Sequence, residues 1–547
     1  MIVILFFVLS SIPVCFGLLG EHILWGHDAA SGLIRSLCVE KYWGNGQFLI
    51  RWAADINYGY GSPMFEFYPP FFSFFSFSLS KFALNPAQAL SLAGIILWIF
   101  SGIGMYLLAK ELWGNKGGLL SAIAYLYAPY HIQDLFVRGA FAEFGAFTFF
   151  PFLILSFYKI HQKIQMRYVV LGVLSVFLLS LTHNVMSMLF FPLVALYILF
   201  LFLWRNNFQA FLLSIFILAI GLMMSSFFWL PALLEKKFLN LSFLTSMRYD
   251  FHKNFVSWDQ LLRIPWSRGT DRWAISFQIG LIPLILSLLP IGFIWKNFKS
   301  YQNIVLHYVF FLIVGFFAAF LTLSQSQIIW EHIHMLTFLQ FPWRILAIGA
   351  FVFSLLAGSV MLLIKNNVLS RFFFVGAVIL LIFSSMKFIW PPLGAKEVDV
   401  ASLKSNLSNI VFLGEGEYTP KWIKFPMLVA PLEKFEVFQG EAKLSQYEKI
   451  SPVEYRVHVK AMQPSLVFFH SFYFPGWRVF IDDKETPINP DNPYGLITFT
   501  VPSGEHVLRV IFGPTSIRIV AVVISWIGFL CFIGGLFFIH KFEKKFL

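Results

Sequence analysis

The sequence predicts a mainly α-helical, polytopic membrane protein of about twelve spans, with an extracytoplasmic C-terminal β-sandwich domain before the last span. Three observations predict it. Hydrophobic residues make up 58% of the chain and charged residues only 12%, a surface that would aggregate in water. Long apolar runs recur from one end of the chain to the other. Between residues 391 and 515 the pattern changes to alternation of apolar and polar residues.

The apolar runs fall at about 2–19, 87–109, 117–134, 140–158, 168–183, 185–204, 209–231, 274–295, 302–323, 343–364, 371–390 and 516–540. Only Met1 precedes the first run, without the basic flank of a signal peptide, so it reads as a retained span. A thirteenth run, 67–84, carries Pro69 and Pro70 near its start and Ser73, Ser76 and Ser80 along one helical stripe. That pattern suits a helix lying in the membrane interface.

The connections after every second span, with the C-terminal tail, hold Lys110, Lys116, Lys159, Lys163, Arg167, Arg205, Lys296, Lys299, Lys365, Arg371, Lys541, Lys544 and Lys545, against the acids Glu111 and Glu543 alone. By the positive-inside rule this side is the cytoplasm. The N- and C-termini are then cytoplasmic, and loop 20–86 and the β-rich domain face outward from a cytoplasmic (inner) membrane. The chain divides into a transmembrane domain 1–390, a β-rich domain 391–515, and a final span with a basic tail, 516–547. The β-rich part is read from "EYRVHVKAM", "WRVFIDDKETPI", "GLITFTV" and "HVLRVIF", separated by turn signals.

Polar groups of unusual type collect in the outward connections. "LWGHDAASGLIRSL" contains His27 and Asp28, with Asp28, Ser31 and Arg35 on one helical face. "RWAADINYGYGSPMFEFYPP" contains Asp55, Glu66 and Tyr68. Its Arg51 and Asp55 are one turn apart and read as a structural ion pair. "APYHIQDLFVRGAFAEFGAF" sets His131, Asp134 and Arg138 at i, i+3 and i+7, then Glu143 at the head of an apolar span. Ionisable groups at membrane depth are costly, so they pair, line a cavity or work. His183 and Asn184 end the hairpin "LTHN", Glu235 lies in "WLPALLEKKF", and Arg344 closes "EHIHMLTFLQFPWR". "IPWSRGTDRW" lies in the same outward connection as Glu235, and Trp25, Trp43, Trp52 and Tyr58 read at least as readily as interfacial belt residues as sugar platforms. The cysteines Cys15, Cys38 and Cys531 match no metal or redox spacing. His332 and His334 do not share a helical face, so no metal site is read there, and no nucleic-acid motif is present.

"GHDAASGLIRSL", "RWAADINYGYGSPMFEFYPP", "APYHIQDLFVRGAFAEF", "LTHN", "WLPALLEKKF" and "LQFPWR" resemble the membrane proteins named for a "6-pyruvoyl-tetrahydropterin synthase-related" domain. "YFPGWRVFIDDK" and "VPSGEHVLRVIF" resemble the outer domain of the YfhO-like group. The architecture is similar to that of GT-C glycosyltransferases, with an acidic residue soon after the first span. The chain departs from that pattern at Ser31-Gly32, where a second histidine is expected. The resemblance implies transfer of a sugar from a polyprenyl-phosphate donor to a glycan, lipid or protein acceptor, among membrane lipids and without nucleic acid. It implies Asp28 as catalytic base with Glu143 as its rival, and Arg138 and Arg344 as ligands of the donor phosphate. His27, Arg35, Asp55, Glu66, Tyr68, His131, Asp134, His183, Asn184 and Glu235 are the other substrate-binding candidates. No cofactor is expected, and nothing in the residues supports a divalent metal. The alternative is a lipid-linked glycan transporter or a non-catalytic cell-envelope assembly factor. Transport calls for charges in mid-span, whereas here they gather at span ends.

The parity of the basic loops predicts that a single cysteine placed at Asn45, with the native cysteines removed, is labelled from outside intact cells. Labelling only after permeabilisation contradicts this topology.

Overall fold

The computed structural model describes residues 2–18, 22–23, 26–82, 84–241, 249–264, 275–297, 299, 302–389, 396–397, 399–410, 418–425 and 427–546. Trp25 and, beyond Ile264, the stretch "IPWSRGTDRW" lie outside these residues. Among the described residues, seven helices are long and apolar enough to cross a membrane, and Phe208–Met224 with Ser226–Phe238 make an eighth if their 74° bend lies within one span. The first of the seven, Pro86–Leu126, has a break at Gly114 (φ 74°, ψ 179°). The indole N–H of Trp98 reaches the carbonyl of Leu126 at 3.3 Å, whereas 28 residues of straight helix rise about 42 Å. The chain therefore doubles back at Gly114, and this helix is a hairpin of two arms. With shorter helices such as Met166–Thr182 and Ile2–Leu18, the described part of each of the twelve expected apolar runs is mainly helical, with 275–280 a non-helical lead-in to Leu281–Leu288.

The ends of the bundle differ in chemistry. At one end the basic connections meet. Lys159 pairs with Glu111 at 2.5 Å, Lys116 donates to Ser370 at 3.0 Å and Arg205 to Asn303 at 2.9 Å. The opposite end carries loop 26–82, the hinge 129–140 and the β-rich domain.

Phe71–Ser80 has ten residues, about 15 Å of helix against a hydrocarbon core of about 30 Å. It does not cross. Its serine stripe departs from the expectation of an outward polar face. Ser73 and Ser76 are buried where the helix packs on the bundle. Small side chains permit that close approach; Phe72 and Phe77 are buried beside them, while Phe71, Phe74 and Phe75 are half-buried.

Strands occupy Phe435–Gln439 (β1), Ala442–Ser451 (β2), Glu454–Ala461 (β3), Ser465–Phe472 (β4), Trp477–Ile481 (β5), Lys484–Thr486 (β6), Leu496–Val501 (β7) and Gly504–Phe512 (β8). They form two antiparallel sheets, in the orders β2-β3-β8-β5-β6 and β1-β4-β7. Tyr455, Val457, Phe469, Val479, Phe499 and Val510 are among the residues buried between them. Alternation in "EYRVHVK" is this burial pattern, one face to the core and one to solvent. The described stretch before β1 adds no strand to the two sheets, although Ile423 and Met427 pack against the sandwich core. Ile410 and Ser408 accept hydrogen bonds from Asn57 and Tyr58 of the first outer loop.

The expected pair Arg51–Asp55 does not form. Residues 51–55 are not helical but run through a β-bridge at Ala53 into a bend, so i and i+4 do not share a helix face. Asp55 pairs with Lys41 at 3.1 Å, and Arg51 with Glu66 at 2.8 Å. Glu66 also lies 3.4 Å from Arg518, which grips Glu235 at 2.7 Å and donates to the Pro475 carbonyl at 2.9 Å. Thr515 donates to Glu235 at 2.6 Å. Burial pushes the Glu66 carboxyl up, against the pull of Arg51 and Arg518. This joint binds the outer loop, the helix before Lys236, the sandwich and the last span.

Removing one partner of a buried ion pair typically costs about 3–5 kcal/mol. Arg518→Met should therefore lower the thermal midpoint of the detergent-solubilised protein sharply, with Lys460→Met, which deletes only the exposed pair with Glu505, leaving it in place. Equal midpoints for both variants would contradict the joint.

Candidate functional site

The site grows from the break between two membrane helices. Pro129–Gln133 runs into a π-helical turn, Asp134–Arg138, which Gly139 ends at φ 63°. π-Turns re-aim side chains and recur at functional positions. Here the turn lets Arg138 contact both Asp134 at 2.5 Å and Glu143, in the next helix, at 2.9 Å. A Cβ on Gly139 would sit 2.6 Å from the Cβ of Ala29, and one on Gly26 would sit 2.7 Å from the Arg138 carbonyl oxygen. Only glycines admit this approach. It lets the Asp28 amide donate to the Arg138 carbonyl at 2.7 Å and sets the Asp28 carboxylate 3.9 Å from the Arg138 guanidinium.

Glu143 is the centre of the arrangement and is 1% exposed. One carboxylate oxygen accepts from the Tyr130 hydroxyl at 2.5 Å and faces Arg138. The other faces Arg344 Nε at 3.6 Å and His183 Nε2 at 4.0 Å. His183 Nδ1 accepts the Met186 amide and so caps the helix Asn184–Arg205. That assigns the proton of the neutral ring to Nε2, on the side of Glu143. Arg344 donates to the Leu339 carbonyl at 2.9 Å and to Gln340 at 2.8 Å. The guanidinium of Arg138 lies 5.0 Å from the ring of Trp343, and that of Arg344 lies over Phe341 at 5.1 Å. The field of Arg35, like those of Arg344 and Arg138, reaches His183. Arg35 itself stacks on Tyr68 at 3.5 Å.

Asp28, Arg35, Tyr68, Asp134, Arg138, Glu143, His183 and Arg344 are thus brought together. Asp28 is exposed over half of its side chain. It occupies the N-cap position of the helix Ala29–Gly44 without its side chain capping it, so the carboxylate stays available. His27 beside it is exposed. Asn184 donates to the Phe67 carbonyl at 2.9 Å and fixes the loop that presents Tyr68. His131 departs from the expected shared face with Asp134 and Arg138. The switch to π geometry at Asp134 changes the repeat, and the ring stacks on Phe147 at 4.5 Å with Nδ1 on the Tyr125 carbonyl. Glu66 and Glu235 lie in the separate joint with Arg518, and Asp55 lies with Lys41 and Lys449.

Sequence reasoning missed Tyr130 and Trp343, both inside the quoted blocks. It also missed Arg518, whose signal was a lone cation at the head of an apolar span. Among the described residues no three His, Cys, Asp or Glu side chains converge as metal ligands.

Residues 65–388 match the family model of the 6-pyruvoyl-tetrahydropterin synthase related domain, a membrane protein family. The chain belongs to this family. It is a multi-pass membrane protein, and the family match spans both the hinge 129–140 and the Arg344 turn. Comparison with curated proteins finds none that matches. Solved structures with a similar course include the arabinofuranosyltransferase AftD from Mycobacteria, at TM-score 0.47 and 16% identity over 73% of this chain and 28% of that one. ArnT from Cupriavidus metallidurans bound to undecaprenyl phosphate gives 0.40 and 15%, over 69% and 63%. The oligosaccharyltransferase of Archaeoglobus fulgidus gives 0.38 and 13%, over 75% and 56%. This chain therefore spans less than two thirds of the length of each of these proteins.

The geometry separates the two arginines. Arg138→Gln leaves Asp134 and Glu143 buried without their cation and should cost about 3–5 kcal/mol. Arg344→Gln leaves Glu143 with Arg138 and Tyr130 and should unfold close to the wild-type temperature. Equal losses, read by thermal unfolding in detergent, would contradict this division.

Proposed function

We propose that this protein is a membrane glycosyltransferase that moves a sugar from a polyprenyl-phosphate donor to an acceptor hydroxyl at the outer face of the cytoplasmic membrane. One observation carries the reading. An exposed carboxylate, Asp28, is locked by backbone contact beside a buried knot of arginines and acids at the end of the bundle opposite the basic loops. A donor on a lipid phosphate keeps its reacting bond near the membrane surface, which is where such a pair of groups is useful. ArnT was solved with undecaprenyl phosphate; the carrier class assigned to this chain is a polyprenyl phosphate, and that assignment rests on this chain's own residues.

In the reaction Asp28 takes the proton of the acceptor hydroxyl. The acceptor oxygen forms a bond to the anomeric carbon, the bond from that carbon to the phosphate oxygen breaks, and polyprenyl phosphate leaves with the electron pair. Arg344, at the edge of the knot, and Arg35 carry the charge that develops on the phosphate. Arg138 was expected from the sequence to hold the phosphate as well. Its bonds to Asp134 and Glu143 make it a positioning residue, which orients Asp28 and Glu143. Glu143, buried and bonded to Tyr130 and Arg138, holds Arg344 and His183 in place and is not the base.

Removing a general base costs about 10²–10⁴-fold in rate. Asp28→Asn should lose turnover on that scale in nanodiscs with a defined polyprenyl-phosphate sugar, while its fold and donor binding persist. Full turnover in a folded Asp28→Asn protein, with Glu143→Gln folded but inactive, would make Glu143 the base. Full turnover in both would overturn the mechanism.

A further inference from the structure

The sandwich carries a polar groove that the reaction above does not use. It has a volume of about 330 Å³ and lies between β5, β6 and the turn that precedes β5, near the low end of the range of about 300–1,000 Å³ for small-ligand sites. Tyr473, Trp477, Arg478, Glu485 and Thr486 line it. Arg478 and Glu485 are exposed, and among the described residues neither forms an ion pair. Trp477 is 4% exposed, and its indole N–H has no hydrogen-bond partner among the described residues. A buried N–H without a partner is costly enough to need a reason.

The groove's shape and chemistry select its ligand. It is open on one side, and polar groups dominate its lining, which does not suit a lipid chain. One cation and one anion cancel, so it does not select net charge. A guanidinium, a carboxylate, a threonine hydroxyl and a tyrosine hydroxyl offer donors and acceptors together, as a ligand dense in hydroxyl groups requires. The ring of Tyr473 is fixed edge-to-face on Trp422 at 4.7 Å, and Trp477 is fixed on Trp52 of the outer loop at 5.6 Å. Tyr473, half-buried, is thereby a rigid wall held at little entropic cost, and Trp477 backs the groove from the core.

We infer that this groove of the sandwich binds a neutral oligosaccharide, and that the glycan it holds is the acceptor of the transfer. The second part rests on the transferase reading above. The groove is tied to the membrane boundary, because the Pro475 carbonyl before β5 accepts from Arg518. An acceptor chain seated there is held at the end of the molecule that carries Asp28.

The test is binding of a panel of fluorescent short neutral, acidic and amino-sugar oligosaccharides to the full-length protein in nanodiscs. A neutral probe should bind the wild type, weaken by about tenfold or more in Arg478→Ala and in Glu485→Gln, and bind Lys460→Met, an exposed position outside the groove, as it binds the wild type. Both groove positions are exposed, so their variants keep the fold. Failure of every probe on the wild type, binding confined to acidic or amino sugars, or wild-type affinity in both groove variants would overturn the inference. Binding that depends on Arg478 in a protein that transfers no sugar would leave the groove standing and remove the transferase reading.

Discussion

A guanidinium cannot stand alone at the end of a membrane bundle, and Arg138 is the group around which this end is built. Asp134 and Glu143 neutralise it within hydrogen-bond distance. Because a buried charge without its partner costs several kcal/mol, the three groups fix the angle between the hinge and the following helix. The glycines on either side of the contact do the rest. Gly139 and Gly26 bring the start of the helix Ala29–Gly44 against the hinge, and Asp28 is carried there by its own backbone. The position of the exposed acid follows from the buried ones.

A second joint of opposite charges has a different purpose. Glu66, Glu235 and Arg518 are buried, Arg51 is half-buried, and the four come from three separate parts of the chain. Glu66 stands two residues before Tyr68, on which Arg35 stacks. The joint therefore sets the loop that presents one arginine of the site, and it holds the sandwich on the last span. Trp52 packing on Trp477 and Phe512 adds an apolar seam beside it. Sandwich, loop and bundle meet through Glu66 and Glu235, which the sequence offered as ligands of a substrate, and Arg518, which it did not single out.

Much of the fold was legible because its signals are local. Apolar length marks helices, alternation marks strands, and the runs of lysine and arginine mark one end of the bundle. The hairpin at Gly114 was legible as two apolar runs flanking Lys110 and Lys116. The site was legible by residue type at Asp28, Arg138, Glu143, His183 and Arg344, since ionisable groups beside membrane helices are rarely idle. Their pairing was not. Whether Arg51 meets Asp55 or Glu66 depends on residues 51–55 being non-helical, and whether His131 joins Asp134 depends on a π-turn that shifts the repeat. Glu235 and Arg518 are 283 residues apart, a contact that no local pattern encodes.

The central claim is that Asp28 serves a sugar transfer from a lipid phosphate. Mass spectrometry of membrane glycolipids and surface glycans, in cells making the wild-type protein or Asp28→Asn at equal levels, tests it most directly. The account predicts that the variant accumulates a sugar-loaded polyprenyl phosphate and loses a matching sugar from one surface species. Identical lipid and glycan profiles in the two strains would contradict it.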